Sequence, residues 1–137
     1  MNNIKIKELY KKRYNFQDFY EIATTLINQN KLFSNGSNQS VQKQKIDSSA
    51  EFNYAYYPVV FETEEIALKM KVALEKHEIF PRRYFYPSLS NLSYVTGEST
   101  AVADSISTRI LCLPLYHEIS EIEQELIARI LLRTQNN

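Results

Sequence analysis

The sequence predicts an α+β fold, a small three-stranded sheet covered on one face by amphipathic helices. Three observations lead there. Apolar residues recur at three- and four-residue spacing in several segments, the mark of helices with one buried side. Between these stand short aromatic or β-branched runs, bounded by prolines, that read as strands. The resulting order is helix, strand, helix, strand, short helix, strand, helix, and 137 residues suit one domain over 1–137.

The first thirty residues read as one long helix, with Ile6, Leu9, Phe16, Phe19, Tyr20, Ala23, Leu26 and Ile27 on its apolar side. Ser34 to Ala50 is rich in Ser, Asn and Gln and is expected to be a mobile polar surface loop. Phe52 to Phe61 reads as a strand, and Pro58, lacking a donor, favours an edge position or a bulge. Thr63 with Glu64 and Glu65 opens a second helix, the acids lying at its positive end. Its buried stripe is Ile66, Met70, Ala73 and Leu74, with Lys76 and His77 at the negative end. Arg82 to Tyr86 reads as a short strand between Pro81 and Pro87, followed by a loop to about Glu98. Thr100 to about Thr108 is a short helix, and Ile110 to Leu113 a fully apolar strand ended by Pro114. Ser120 and Glu123 form a capping box for the last helix, which is expected to bury Ile122, Leu126, Ile127, Ile130 and Leu131.

Composition narrows function. Sixteen basic and sixteen acidic residues cancel, which argues against general affinity for nucleic acid or an anionic membrane. One cysteine, Cys112, excludes an internal disulfide and suits a reducing compartment. No segment reads as a signal peptide or membrane helix, so a cytoplasmic location is expected. Two glycines, Gly36 and Gly97, are too few for a phosphate-cradling loop.

His77 reads as a helix-end partner, and His117 lies in a turn with no second ligand at metal spacing, so no metal site is expected. Cys112, inside the most apolar strand, reads as a buried inert thiol. The segment Ile79-Phe80-Pro81-Arg82-Arg83-Tyr84-Phe85-Tyr86-Pro87-Ser88 is different in kind. Adjacent arginines beside aromatics, bracketed by prolines, offer cationic and hydroxyl donors together. Arginine forks match phosphate oxygens, and tyrosines stack on or bond to sugars and bases. Arg82, Arg83, Tyr84 and Tyr86 are the candidate substrate-binding residues. Strand alternation would set Arg83 and Phe85 on one face, and Arg82, Tyr84 and Tyr86 on the other. The alternative, aromatics in the core and arginines in solvent, is left open by the chemistry alone.

Two further stretches complete a pattern with the same strip through Leu89: Ala103-Asp104, then Arg109-Ile110-Leu111-Cys112-Leu113-Pro114-Leu115-Tyr116. Together they resemble the C-terminal small domain of the DegT/DnrJ/StrS-type sugar aminotransferases, which are fold-type I PLP-dependent transferases. Within the family the similarity is greatest to members acting on dTDP-linked keto-deoxyhexoses. Lys12-Arg13, Tyr20 and Leu26 resemble the helix joining that family's two domains. Glu78 departs from the pattern, because many members carry glycine there, and so does the polar insertion.

The resemblance implies an enzyme that uses pyridoxal phosphate and glutamate to aminate a nucleotide-linked keto-sugar, usually as a homodimer, for polysaccharide, O-antigen or deoxyamino-sugar biosynthesis. In that family the Schiff-base lysine and phosphate cup belong to a large N-terminal domain. None of this chain's ten lysines lies in the expected setting after a strand. The expectation is therefore a small domain with no catalytic, cofactor-binding or metal-binding residues of its own. Its partners would be a large-domain PLP-binding polypeptide, or itself, and a nucleotide-sugar substrate. A non-catalytic nucleotide-sugar-binding module and a purely structural remnant are the alternatives.

Overall fold

The structure is a computed structural model, and it describes residues 41–51, 55–116 and 118–137. The helix expected over residues 1–30, the start of the strand expected from Phe52, and His117 lie outside the described residues.

Three antiparallel strands make one sheet in the order β1-β2-β3, with β1 at Val41–Lys43, β2 at Tyr57–Phe61 and β3 at Ile110–Leu113. In register Val41 faces Phe61, and Val59 lies between Lys43 and Leu111. Two of these strands follow the expected positions, but β1 falls in the stretch read as a loop over 34–50. Val41 is buried against Phe61, so pairing makes a strand of a segment whose own composition is polar. Beyond β1, Asp47 Oδ1 accepts from the Ser49 N–H at 2.8 Å and closes a local turn.

Pro58 lies in the middle strand, not at the edge the sequence suggested. Both backbone groups of Cys112, its register partner, are spent on Arg82, pointing away from β2. The Pro58–Cys112 pair thus exchanges no hydrogen bond, and the proline nitrogen faces the β1 side. There β1 has already ended at Lys43, paired with Val59, so the missing donor costs no ladder bond.

Helix α1 (Glu64–Glu75) starts where expected: Thr63 Oγ1 accepts from the Ile66 N–H at 3.2 Å, with Glu64 and Glu65 in the first turn. It ends in a complete Schellman motif, Ile79 N–H bonding to the Leu74 carbonyl and Glu78 N–H to that of Glu75, both at 3.1 Å. Glu78 takes φ 61°, the left-handed position that favours glycine. His77 Nδ1 lies 3.0 Å from the Ala73 carbonyl oxygen, the helix-end role expected for it.

Helix α2 (Ala101–Arg109) runs directly into β3, and helix α3 (Glu121–Asn136) carries the expected capping box. In the box the Glu123 N–H donates to Ser120 Oγ at 3.2 Å, and the Ser120 N–H donates to Glu123 Oε2 at 2.6 Å. The Ser120 N–H, and after it the Ser120 hydroxyl, hold the Glu123 carboxyl below its ordinary range by donating to it. The helix phase differs from the expectation. Ile122 is 78% and Leu126 45% exposed, while Gln124, Ile127 and Leu131 are buried. Ile122 and Leu126 share a stripe, but about 160° around the helix from Gln124, on the outer side.

On one side of the sheet α1 meets β2 and β3 and packs on α3, whose buried residues join the same core, while α2 touches α1 and β2. Tyr57, Val59 and Phe61 alternate toward that side and meet Leu111 and Leu113, with Met70 and Leu74 from α1 and Ile127, Ile130 and Leu131 from α3. Each such apolar side chain contributes about 1.5–3 kcal/mol by leaving water. The expected architecture of a sheet covered by helices is the one observed.

Candidate functional site

Pro81 is buried at the foot of the arginine–aromatic strip and sets where it leaves the core. Arg82 then makes an isolated bridge to β3, donating its N–H to the Cys112 carbonyl at 3.1 Å and accepting from the Cys112 N–H at 2.7 Å. The strip forms no strand beyond this bridge, contrary to expectation, and Tyr84 and Phe85 lie in a turn. The reason lies in β3, which is only four residues long, between the end of α2 and Pro114. The next hydrogen-bonded position on one side, two residues on, is Pro114, which has no N–H to give. The other side runs into Ile110, which caps α2. Cys112 is what remains to pair with.

Without extension, the expected alternation of side chains is lost. Tyr84 and Phe85, assigned to opposite faces, stack with ring centroids 5.2 Å apart, and Tyr84 meets Tyr56 edge-on at 5.5 Å. Arg83 and Tyr86 were also assigned to opposite faces, yet the guanidinium carbon of Arg83 sits 3.9 Å from the centre of the Tyr86 ring.

The four candidate residues divide into two kinds. Arg83 turns inward, its side chain 18% exposed, and one terminal nitrogen donates to the Thr108 carbonyl at 2.9 Å and to Glu64 Oε1 at 3.1 Å. It thereby ties the strip to the start of α1 and the end of α2. Arg82, Tyr84 and Tyr86 are exposed. Of these three, Tyr84 lines a groove together with Phe85.

The groove, of about 970 Å³, lies between Tyr84, Phe85, the Leu89–Asn91 turn, residues 95–100 and α2. Asp104 on α2 holds its wall. The Asp104 carboxylate accepts from the hydroxyls of Ser88 and Ser90, and from Thr100 Oγ1 at 3.5 Å. These donors, Ser88 first, hold its pKa below the ordinary carboxylate value. The clip escaped the residue-by-residue sequence reading. Its signal was the Ser88-Leu89-Ser90 pair of hydroxyls spaced to converge on one acceptor.

On the far side of Tyr84 and Phe85 a second hollow of about 440 Å³ opens on the sheet face opposite the core, over Pro58, Val60, Ile110 and Cys112. Burial pushes the Cys112 thiol pKa up, and its side chain is an apolar contributor to that face. Among the described residues no cluster of three metal-ligating side chains occurs, and no helix is long and apolar enough to cross a membrane.

Fold and site together define the class: a small α+β domain whose exposed arginine–aromatic strip contributes Tyr84 and Phe85 to a largely apolar groove. The model of the DegT/DnrJ/EryC1/StrS aminotransferase family matches residues 5–132, and the chain belongs to this family. A dTDP-4-amino-4,6-dideoxy-D-glucose transaminase of Escherichia coli is 30% identical over 91 residues, covering 58% of this chain and 24% of that protein. The enzyme of the same name from Shigella dysenteriae is 34% identical over 74 residues, covering 50% of this chain and 20% of its own length. Among solved structures, the aminotransferase TlmJ of Streptoalloteichus hindustanus superposes with TM-score 0.66 at 15% identity, over 92% of this chain and 31% of that one. A structure assigned as a PLP-dependent aminotransferase from Bacillus cereus gives TM-score 0.65 at 26% identity, over 88% of this chain and 31% of that one. The chain thus spans about a quarter of the curated relatives and about a third of the solved structures it matches.

Proposed function

We propose that this chain is the C-terminal part of a PLP-dependent aminotransferase that aminates a nucleotide-linked keto-sugar in the cytoplasm, and that it forms one wall of the site. The observation that carries the reading is the exposure of Arg82, Tyr84 and Tyr86 on the strip. Arg82 offers a planar fork of donors to diphosphate oxygens, and the tyrosines offer hydroxyls and ring faces to the sugar and base. Arg83 acts through its neighbours, holding Tyr86 in place from below. The wall orients the substrate and keeps water from the reacting carbon.

Pyridoxal phosphate supplies amino-group transfer in this family's chemistry, and the described residues do not fit it. Of the described lysine side chains, none lines the larger groove; Lys45 edges the smaller hollow, Lys71 pairs with Glu75 on α1, and Lys69 and Lys76 flank a separate hollow there. The reading therefore puts the cofactor on the catalytic part, a large-domain polypeptide.

Steady-state kinetics of the assembled enzyme test the reading, with a dTDP-linked keto-sugar as substrate and Arg82→Ala and Tyr86→Phe as variants. Each is expected to raise KM about tenfold, ~1.4 kcal/mol, with the melting temperature unchanged. Wild-type KM in both variants would sink the assignment.

A further inference from the structure

The two hollows beside the Tyr84–Phe85 pair differ in charge and in lining. The larger holds one charged residue, Glu98, whereas the smaller holds one cation, Lys45, and no carboxylate. The floor of the smaller hollow is apolar, from Pro58 and Val60 of β2 and Ile110 and Cys112 of β3. Its aromatic lining is Tyr56, Tyr84 and Phe85: Tyr56, 51% exposed, meets Tyr84 edge-on, and Tyr84 stacks on Phe85. Gln42 of β1, Gln44 and Lys45 supply the polar lining, and all three are exposed. Among the described residues, their side chains are engaged in no hydrogen bond or ion pair. They belong to the polar stretch 34–50, where the sequence departs from the family's pattern, so this lining is a feature of this chain.

We propose that the smaller hollow is a subsite for the base and phosphate of a nucleotide. The inference rests on the function proposed above and assigns to that site a contribution from Gln42, Gln44, Lys45 and Tyr56. The occupant follows from the lining. An apolar floor would leave the hydroxyls of a bare sugar unpaired, which is costly. A flat heteroaromatic ring loses little there and stacks on tyrosine. Each glutamine amide both donates and accepts, which matches the mixed edge of a base. Lys45 supplies a point charge for a phosphate, and no carboxylate lines the hollow to repel it. Its volume of about 440 Å³ lies near the low end of the roughly 300–1,000 Å³ of small-ligand sites. Tyr84 belongs to the strip and to the hollow alike, so a base held here brings the rest of a sugar nucleotide to the strip.

Calorimetric titration of the full chain with thymidine 5′-monophosphate tests the site. Saturable binding is expected. Its affinity should fall on the order of tenfold in Tyr56→Ala, and about fivefold in Lys45→Ala, the second effect shrinking as salt is raised. Both side chains are exposed, so neither variant should move the melting temperature. Absence of saturable binding, wild-type affinity in both variants, or equally tight binding of 2-deoxyribose 5-phosphate would each overturn the proposal. The assembled enzyme separates two sources of the nucleotide, and either keeps the subsite. Thymidine monophosphate that competes with the dTDP-linked keto-sugar shows that the hollow takes the substrate's own nucleotide. Binding that leaves KM unchanged shows that it takes a free one. Failure of the function proposed above reads out separately: Arg82→Ala and Tyr86→Phe would leave KM unchanged while thymidine monophosphate still bound and still depended on Tyr56.

Discussion

Replacing Arg83 by alanine tests whether this guanidinium is a structural tie or a free ligand donor. Three interactions are lost. The bond to the Thr108 carbonyl is short, at 2.9 Å, and charge-assisted, worth roughly 1.5–3 kcal/mol. The pair with Glu64 spans 3.1 Å, but that carboxylate is 43% exposed, so solvent screening leaves it under about 1 kcal/mol. Contact with the Tyr86 ring at 3.9 Å adds roughly 0.5–1 kcal/mol. Against these stands the side-chain entropy that the arginine loses on folding, about 1.5–2 kcal/mol. Its Nε, buried without an acceptor, further reduces the net. About 1 kcal/mol of destabilisation remains, or roughly 3–5 °C in melting temperature for a chain of this size. Arg83→Lys should recover about half, because a point charge can reach one acceptor but not the whole arrangement. Tyr86→Phe keeps the ring under the guanidinium and should change stability by less than about 0.5 kcal/mol. Urea unfolding with an unchanged slope is the assay. An Arg83→Ala midpoint matching wild type would refute the tie and return Arg83 to the pool of ligand contacts.

Glu78→Gly should stabilise the fold. Glu78 holds φ 61° in the Schellman turn after α1, where a side chain costs roughly 1–2 kcal/mol that glycine avoids, less about 0.4–1 kcal/mol for glycine's freer unfolded chain. A lower urea midpoint in the variant would contradict that geometry. The Asp104 clip should make the groove wall acid-sensitive. Its pKa is lowered from 3.8 by the Ser88, Ser90 and Thr100 hydroxyls. Its stabilisation is therefore complete above the unfolded value and is lost as pH falls through the lower folded value. Hydrogen exchange of the Leu89–Asn91 turn should accelerate in that acid window in the wild type, and should already be fast at neutral pH in Asp104→Asn. Equal protection in both proteins at neutral pH would rule the clip out.

The features legible in the sequence are those set by neighbours in the chain. Thr63 and the Ser120–Glu123 pair bond within three residues of themselves, so helix starts could be read from a few letters. Ile110–Leu113 is apolar throughout and closed by Pro114, and it forms the strand expected of it. The features missed depend on distant partners. Val41–Lys43 holds a single apolar residue, and only the edge offered by Val59–Phe61 makes it a strand. The Arg82–Tyr86 strip has the letters of a strand, but Cys112 is the one position where β3 can pair with it.

The candidate site divides along the same line. Which residue types it holds was legible, because arginines and tyrosines announce their donors. Which arginine is free was not, because one guanidinium fork suits a diphosphate, or a carboxylate plus a carbonyl, equally well. Only the placement of Glu64 and Thr108, 19 and 25 residues away, decides that Arg83 is held. That leaves Arg82 as the exposed arginine of the strip, fixed through its own backbone to Cys112 of β3. A rigid backbone anchor under a free side chain is what a substrate contact needs, and it makes Arg82, rather than its neighbour, the residue whose loss should register in KM alone.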